Sequence, residues 1–188
     1  MGTTITRNGV ADLAAQPRSF PFCDLTTHGG SALLGAASGG VLGRQTGPWG
    51  TGDNYLISEA ATSGTKTGYC LAFFVLPKEY VAGGAVTITI HARYATVAGS
   101  PTVGTAEVDL EAYDLDAEGN DSGGDINATA AIAVTASWAD KVFTITPTNL
   151  VAGDKLNFFI KAVIQETAAS GSVRIEIGSI TVKLQMKG

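Results

Sequence analysis

The back two thirds of the chain alternate between apolar and polar residues. Along 86–94 the even positions from Val86 to Tyr94 are apolar, whereas the odd positions are Thr, His and Arg. Segments 105–113 and 155–165 repeat this pattern, and in 105–113 the polar face is acidic. A period of two residues is typical of β-strands with one buried face. Shorter strands are predicted at about 130–135 and 141–146.

Two further segments depart from simple alternation. Residues 69–76 (YCLAFFVL) are apolar on both faces, which predicts a central strand buried on both sides. In the last segment the apolar residues occupy odd positions up to Ile177 and even positions from Ile180. The phase changes at 178–179 (Gly-Ser), which predicts a β-bulge that keeps both halves of the strand facing the core.

Residues 1–68 contain little regular periodicity and are rich in Gly, Ala, Ser and Thr. Short strands are plausible near 41–42 and 55–57. A structureless stretch of this length is unusual within a compact domain. The sequence therefore predicts an all-β protein, an antiparallel β-sandwich of the jelly-roll type over 69–188, preceded by a long extended N-terminal arm over 1–68.

Charge limits the classes of partner. Only 15% of the 188 residues are charged, against about 25% in an average protein. The formal net charge is −5, and the 12 Lys and Arg residues are scattered. Nucleic acids and anionic membranes attract clustered positive charge, so neither is expected as a partner. The N-terminus shows no apolar signal-peptide core, and we expect the chain to be made in a cytoplasm.

The strongest metal candidate is the acidic loop 114–125 (DLDAEGNDSGGD). Oxygen ligands at its positions 1, 3 and 5, a glycine at 6 and a carboxylate at 12 resemble the spacing of a calcium loop. The candidate ligands are therefore Asp114, Asp116, Glu118 and Asp125. The alternative is a solvated hairpin loop, because Asp, Asn and Gly are ordinary turn residues. Apart from this possible Ca²⁺, no cofactor is expected.

Catalytic signatures are weak. Asp109 and Glu111 share one strand face and are candidates for the paired carboxylates of a glycosidase, but cross-strand charge pairing explains them more simply. His28 and His91 are the two histidines, and neither lies in a triad or zinc spacing. No catalytic residue is assigned, and the chain is not expected to be an enzyme. The spacing of Cys23 and Cys70 matches no metal-binding or redox motif, so both are interpreted as small apolar residues.

Several apolar residues are candidates for an interface. Phe159 and Val163 lie on the outward face of their strand, so the arm or another subunit should cover them. Phe20, Phe22 and Trp49 are the corresponding anchors in the arm. Trp49 and Trp138 are also candidate platforms for sugar rings, although for Trp138 a position capping the core is the simpler prediction.

Part of the chain resembles a group of tailed-phage virion proteins. The resemblance covers roughly 69–188 and rests on Leu76-Pro-x-x-Tyr80, Trp138-Ala-Asp140, Leu150-x-x-Gly-Asp154 and the closing segment 180–188 (ITVKLQMKG). It implies a capsid-associated role, with no catalytic residues carried over.

The first functional expectation is thus a capsid decoration or cement protein. It would bind the major capsid protein at the virion surface through its arm, and by analogy it would form a homotrimer. The alternative is a carbohydrate- or receptor-binding β-sandwich module of a head or tail fibre.

Overall fold

A computed structural model describes residues 18–19, 37–45 and 55–187. Every regular element in these ranges is a strand. The strands are β1 (Arg18–Ser19), β2 (Gly43–Gln45), β3 (Tyr55–Ile57), β4 (Gly64–Val75), β5 (Val86–Gly99), β6 (Val103–Leu115), β7 (Ile132–Ala133), β8 (Ala139–Ile145), β9 (Lys155–Glu166) and β10 (Gly171–Leu184). No helix in the described part of the chain is long and apolar enough to cross a membrane.

The strands form two antiparallel sheets. The six-stranded sheet has the order β2-β3-β10-β5-β8, with β1 also paired to β10, and the four-stranded sheet has the order β4-β9-β6-β7. From β3 to β6, and again from β7 to β10, successive strands alternate between the sheets, whereas β6 and β7 are neighbours in the four-stranded sheet. The orders β3-β10-β5-β8 and β4-β9-β6-β7 are those of a jelly roll. The predicted fold class is confirmed.

Strand alternation places the core between the sheets. The even-numbered residues of β9 from Leu156 to Ile164 are all fully buried, as are Ile88 and Ile90 of β5. Phe143 of β8 is also fully buried, whereas its neighbour Val142 is 49% exposed on the outer face. These inward residues form one continuous cluster with the inward residues of β10.

The bulge in β10 is confirmed. Its pairing with β5 shifts register between Ile177 and Ser179. Ile177 before the shift and Ile180 after it are both buried. One extra residue therefore restores the inward phase of the second half of the strand.

Two glycine turns begin β5 and β9 and lie next to each other. Gly83 and Gly153 both have positive φ, 67° and 96°, which only glycine adopts readily. The Gly83 N–H donates to the carbonyl of Leu150 at 2.9 Å. The similar segments 81–84 and 151–154 thus start one long strand in each sheet.

The predicted boundary at residue 68/69 is wrong for the described residues. Leu42, Leu56 and Ala61 are 1% exposed or less and belong to the core. β2 and β3 are strands of the six-stranded sheet, and β4 already begins at Gly64. Residues 37–45 and 55–68 are therefore part of the sandwich, because their apolar side chains fill space between the sheets.

The predicted central position of 69–76 is also wrong. This segment lies in β4, at one end of the four-stranded sheet. Its inward residues Cys70 and Ala72 are buried, but Phe73 and Val75 are 57% and 58% exposed. Burial of the Cys70 thiol in the core raises its pKa to about 12, so it is not a reactive thiolate.

The turn between β9 and β10 is organised by a buried carboxylate. Glu166 has no exposed surface, and it accepts backbone N–H groups of Thr102 and of the turn 168–170. Burial alone would raise the pKa of this carboxyl, but the N–H donors outweigh burial and the pKa is lowered. The charged form of Glu166 therefore stabilises the folded chain.

Truncating Phe143 to alanine should lower the free energy of unfolding by about 3–5 kcal/mol, because it leaves a cavity between the sheets. The matched control is Val142→Ala on the same strand, which should change the free energy by no more than about 0.5 kcal/mol. Urea unfolding followed by fluorescence measures both. Similar losses in the two variants would contradict the assignment of inner and outer faces.

Replacing Glu166 with glutamine should destabilise the chain at neutral pH, and the effect should disappear in acid. A lowered folded-state pKa gives stability that is fully present above the unfolded-state pKa and is lost as pH falls through the folded-state pKa. Urea unfolding at neutral pH and at successively lower pH, until the Glu166→Gln difference no longer changes, tests this. Glu118→Gln in an exposed loop is the control, and a difference for Glu166→Gln that is independent of pH would disprove the role of its charge.

Candidate functional site

The outer face of the four-stranded sheet carries three cross-strand rows of side chains from β4, β9 and β6. Each row contains one residue of each strand in direct register. The rows are the Lys161 row (Tyr69, Lys161, Asp109), the Phe159 row (Leu71, Phe159, Glu111) and the Asn157 row (Phe73, Asn157, Tyr113). Directly opposed side chains in antiparallel strands have Cβ atoms about 4.5–5.5 Å apart, so each row forms a continuous surface.

A groove of ≈ 580 Å³ lies over the whole Lys161 row, over Phe159 and Glu111 of the next row, and over Tyr113 of the third. One wall is the segment 39–41, which is held against β4 by two backbone hydrogen bonds of 3.0 Å, Tyr69 N–H to Gly40 O and Leu42 N–H to Tyr69 O. Asp121, from the loop after β6, lines the opposite side. This volume lies within the usual range of ligand pockets, about 300–1,000 Å³.

Aromatic rings line much of the groove. Tyr69 is 40% exposed at its edge. Tyr113 and Phe159 meet edge to face, with ring centroids 5.6 Å apart and an interplanar angle of 87°. Edge-to-face packing holds both rings in fixed orientations and leaves apolar ring surface towards the groove.

Charged groups alternate with the rings. The Lys161 ammonium lies 3.4 Å from a carboxylate oxygen of Asp109, and the Tyr113 hydroxyl donates to Glu111 at 3.0 Å. Together with Asp121 the lining has three carboxylates and one ammonium. Burial raises the pKa of Tyr113, and the hydrogen bond and charge of Glu111 add to the shift, so this phenol stays neutral and remains a donor.

The Asn157 row contains a buried amide with an unpaired oxygen. Asn157 is only 7% exposed, although it lies on the outer face. Its Oδ1 has no hydrogen-bond partner and no exposed surface. Buried polar atoms normally have a hydrogen-bond partner, and the Asn157 oxygen is an exception to this rule.

The candidate calcium ligands do not converge in the structure. Asp125 accepts the backbone N–H groups of Ala112 and Asn127, both at 2.8 Å, and Asp116 accepts the backbone N–H of Asn120 at 2.7 Å. Glu118 lies exposed on the loop. In residues 37–45 and 55–187 no group of three or more His, Cys, Asp or Glu side chains is arranged to hold a metal ion. Calcium binding stays a prediction, and the geometry agrees better with the alternative of a hydrogen-bonded hairpin loop.

The pKa values in this loop differ because the carboxylates have different surroundings. The hydrogen bond from the Asn120 N–H lowers the pKa of Asp116. Burial raises the pKa of Asp114, and the charge of Asp154 raises it further. One oxygen of Asp114 is buried without a partner.

Trp138 lies on the opposite outer face of the sandwich, on the six-stranded sheet. Its indole stacks on His91 at 5.2 Å between ring centroids and lies 4.7 Å from the Arg93 guanidinium. A Cβ at Gly178 would come within 3.3 Å of the indole, so the bulge glycine makes room for the ring. Trp138 thus packs on the outer face of the sheet. The expectation that it caps the core is wrong.

The five candidate interface residues have different outcomes. Phe20, Phe22 and Trp49 lie outside the described residues. Phe159 lines the groove, and Val163 is 8% exposed within the single chain. The burial of Val163 therefore requires no second subunit. Asp109 and Glu111, which the sequence places together on one strand face, also line the groove. The remaining groove residues are not predicted from the sequence, because they come from three strands and two loops, although the apolar outer face of 69–76 is a signal.

No protein-family model matches the sequence, and no curated protein matches it. Solved structures of similar fold include the CBM22-1 xylan-binding domain of Paenibacillus barcinonensis Xyn10C, with 18% identity, a TM-score of 0.47, and 93% of this chain and 98% of that chain covered. Another is the xylan-binding module CBM15, with 14% identity, a TM-score of 0.44, and coverage of 93% and 99%.

A third is the enzymatically active domain of bacteriophage CBA120 tailspike protein 4. It has 13% identity and a TM-score of 0.44, and 87% of this chain matches 20% of that chain. At these levels of identity the similarity concerns the β-sandwich fold alone.

Proposed function

We propose that this chain is a non-catalytic carbohydrate-binding module that holds a glycan in the groove of the four-stranded sheet. The observation that carries the proposal is the composition of one continuous surface. Rings of Tyr69, Phe159 and Tyr113 alternate there with the polar groups of Asp109, Glu111 and Lys161.

A pyranose ring matches such a surface. Its C–H faces are apolar and pack on aromatic rings, whereas its hydroxyl groups need hydrogen-bond partners around the rim. The carboxylates of Asp109, Glu111 and Asp121 accept hydroxyl hydrogens, and Lys161 donates to hydroxyl oxygens. A purely apolar ligand would leave these charged groups desolvated without compensation, which is costly.

The charge of the groove disfavours a polyanion. Three carboxylates against one ammonium give a negative surface, and Lys161 is already close to Asp109. Nucleic acids and heavily sulfated glycans would meet repulsion at this surface. A neutral oligosaccharide avoids this cost.

The two central carboxylates have structural partners rather than catalytic geometry. Asp109 faces Lys161, and Glu111 accepts the hydrogen bond of Tyr113. The paired carboxylates of a glycosidase must reach the glycosidic bond, whereas these two are engaged by other side chains of the sheet. These contacts support binding without hydrolysis.

The cement role, with the major capsid protein as partner, a homotrimer and a virion location, stays a prediction. It depended on an arm of residues 1–68, and the described part of that segment belongs to the sandwich. The groove belongs to the sandwich itself, which supports the alternative of a carbohydrate-binding module.

The test is a glycan array followed by calorimetric titration of the strongest neutral oligosaccharide, with xylohexaose and cellohexaose as defined probes. Tyr69→Ala and Glu111→Gln should each weaken binding about tenfold or more, equivalent to about 1.4 kcal/mol, because the first removes one of the three rings and the second one of the three carboxylates.

Trp138→Phe is the matched aromatic control, since Trp138 lies on the opposite face of the sandwich. Its affinity should equal that of the wild-type chain. Absence of any glycan ligand on the array, or loss of binding in Trp138→Phe but not in Tyr69→Ala, would refute the proposed site.

A further inference from the structure

The three aromatic rings of the groove follow a diagonal across the outer face. Tyr69 lies on β4 in the Lys161 row, Phe159 lies on β9 in the Phe159 row, and Tyr113 lies on β6 in the Asn157 row. Each step from one ring to the next crosses to the neighbouring strand and advances two residues along it. Neighbouring strands are about 4.8 Å apart and each residue rises by about 3.4 Å, so the backbone positions of the three rings span about 17 Å.

This diagonal divides the outer face into two chemically different halves. On one side lie three charged residues that line the groove, namely Lys161, Asp109 and Glu111. On the other side lie three uncharged residues that do not line it, namely Leu71, Phe73 and Asn157. The groove therefore extends from the rings to one side only. A ligand lying along the rings would meet hydrogen-bonding side chains of the sheet along one of its edges.

The two walls of the groove stand at the two ends of the diagonal. The segment 39–41 is hydrogen-bonded to the backbone of Tyr69, at the first ring. Asp121 forms a β-bridge with Leu115, two residues beyond Tyr113 on β6, so it stands next to the last ring. The length of ligand that contacts the groove is therefore bounded at both ends.

We propose that the groove binds a linear, neutral oligosaccharide of at least three units along this diagonal, an inference that rests on the proposed glycan-binding function. The six-membered rings of sugars and of aromatic side chains are similar in size, so three units are needed to contact Tyr69, Phe159 and Tyr113 together. Hydroxyl groups along one edge of the chain bind Lys161 and the carboxylates on the charged side. A disaccharide leaves one ring without a contact.

The test is a series of calorimetric titrations of the full chain with cello- and xylo-oligosaccharides of two to six units. In the series that binds, the affinity should rise at least about tenfold from two to three units, because the third unit adds a contact with a ring. From four to six units it should change by no more than about threefold, because the walls bound the contacted segment.

Two variants shorten the diagonal from opposite ends. Tyr69→Ala and Tyr113→Ala should each lower the affinity for the trisaccharide to about that of the wild-type chain for the disaccharide. The affinity for the disaccharide should fall by no more than about twofold, because two adjacent rings remain and only one of its two positions is lost. Phe159→Ala removes the central ring and should weaken the binding of both.

Phe73→Ala is the matched control for Tyr69→Ala. Phe73 is an exposed aromatic residue of the same strand and the same face, but it does not line the groove. Its replacement should leave the affinity for every chain length unchanged. Thermal unfolding of each variant identifies any loss of the fold, and the length series of the wild-type chain tests the proposal without any substitution.

The outcomes distinguish this inference from the proposed function. Equal wild-type affinity for two and three units, or equal losses for both lengths in Tyr69→Ala and Tyr113→Ala, overturns the extended path and leaves the glycan site standing. Weaker binding in Phe73→Ala overturns the assigned diagonal. Failure of both oligosaccharide series to bind overturns this inference, and failure of the whole array in addition overturns the glycan site.

Discussion

The antiparallel pairing of β4, β9 and β6 is the constraint on which both the core and the groove depend. β9 lies between the other two strands and pairs with each over most of its length. Its even-numbered residues are fully buried between the sheets. On the other face, Asn157, Phe159 and Lys161 are the central residues of the three outer rows. A slip by one residue would exchange these two sets and destroy core and groove together.

The groove is therefore supported by the core beneath it. Phe158 and Ile160 fix the height and register of β9, so Asn157, Phe159 and Lys161 stand at fixed positions on the other face. Side chains on a rigid sheet lose little further freedom when a ligand binds. The walls come from irregular segments, which can vary without disturbing the sheet.

The two outer faces show how one fold separates packing from binding. On the six-stranded sheet, Trp138 lies against His91 and Arg93 and over the bulge at Gly178, so its ring serves internal packing. On the four-stranded sheet the aromatic rings line a groove, and the side-chain oxygen of Asn157 on the same face has no hydrogen-bond partner. Sequence composition does not distinguish these two uses of an aromatic residue, because each depends on neighbours from distant strands.

The sequence by itself determined the strands from residue 86 onward, their inward faces and the bulge in β10, because alternation is a local property of one strand. Only the tertiary structure decided that residues 37–45 and 55–68 enter the sandwich and that β4 ends a sheet. It also decided that Tyr69, Phe159 and Tyr113 line one groove. These features depend on pairing between residues as distant in the sequence as Leu56 and Ile177, and the register of such pairs is fixed by packing of the whole core.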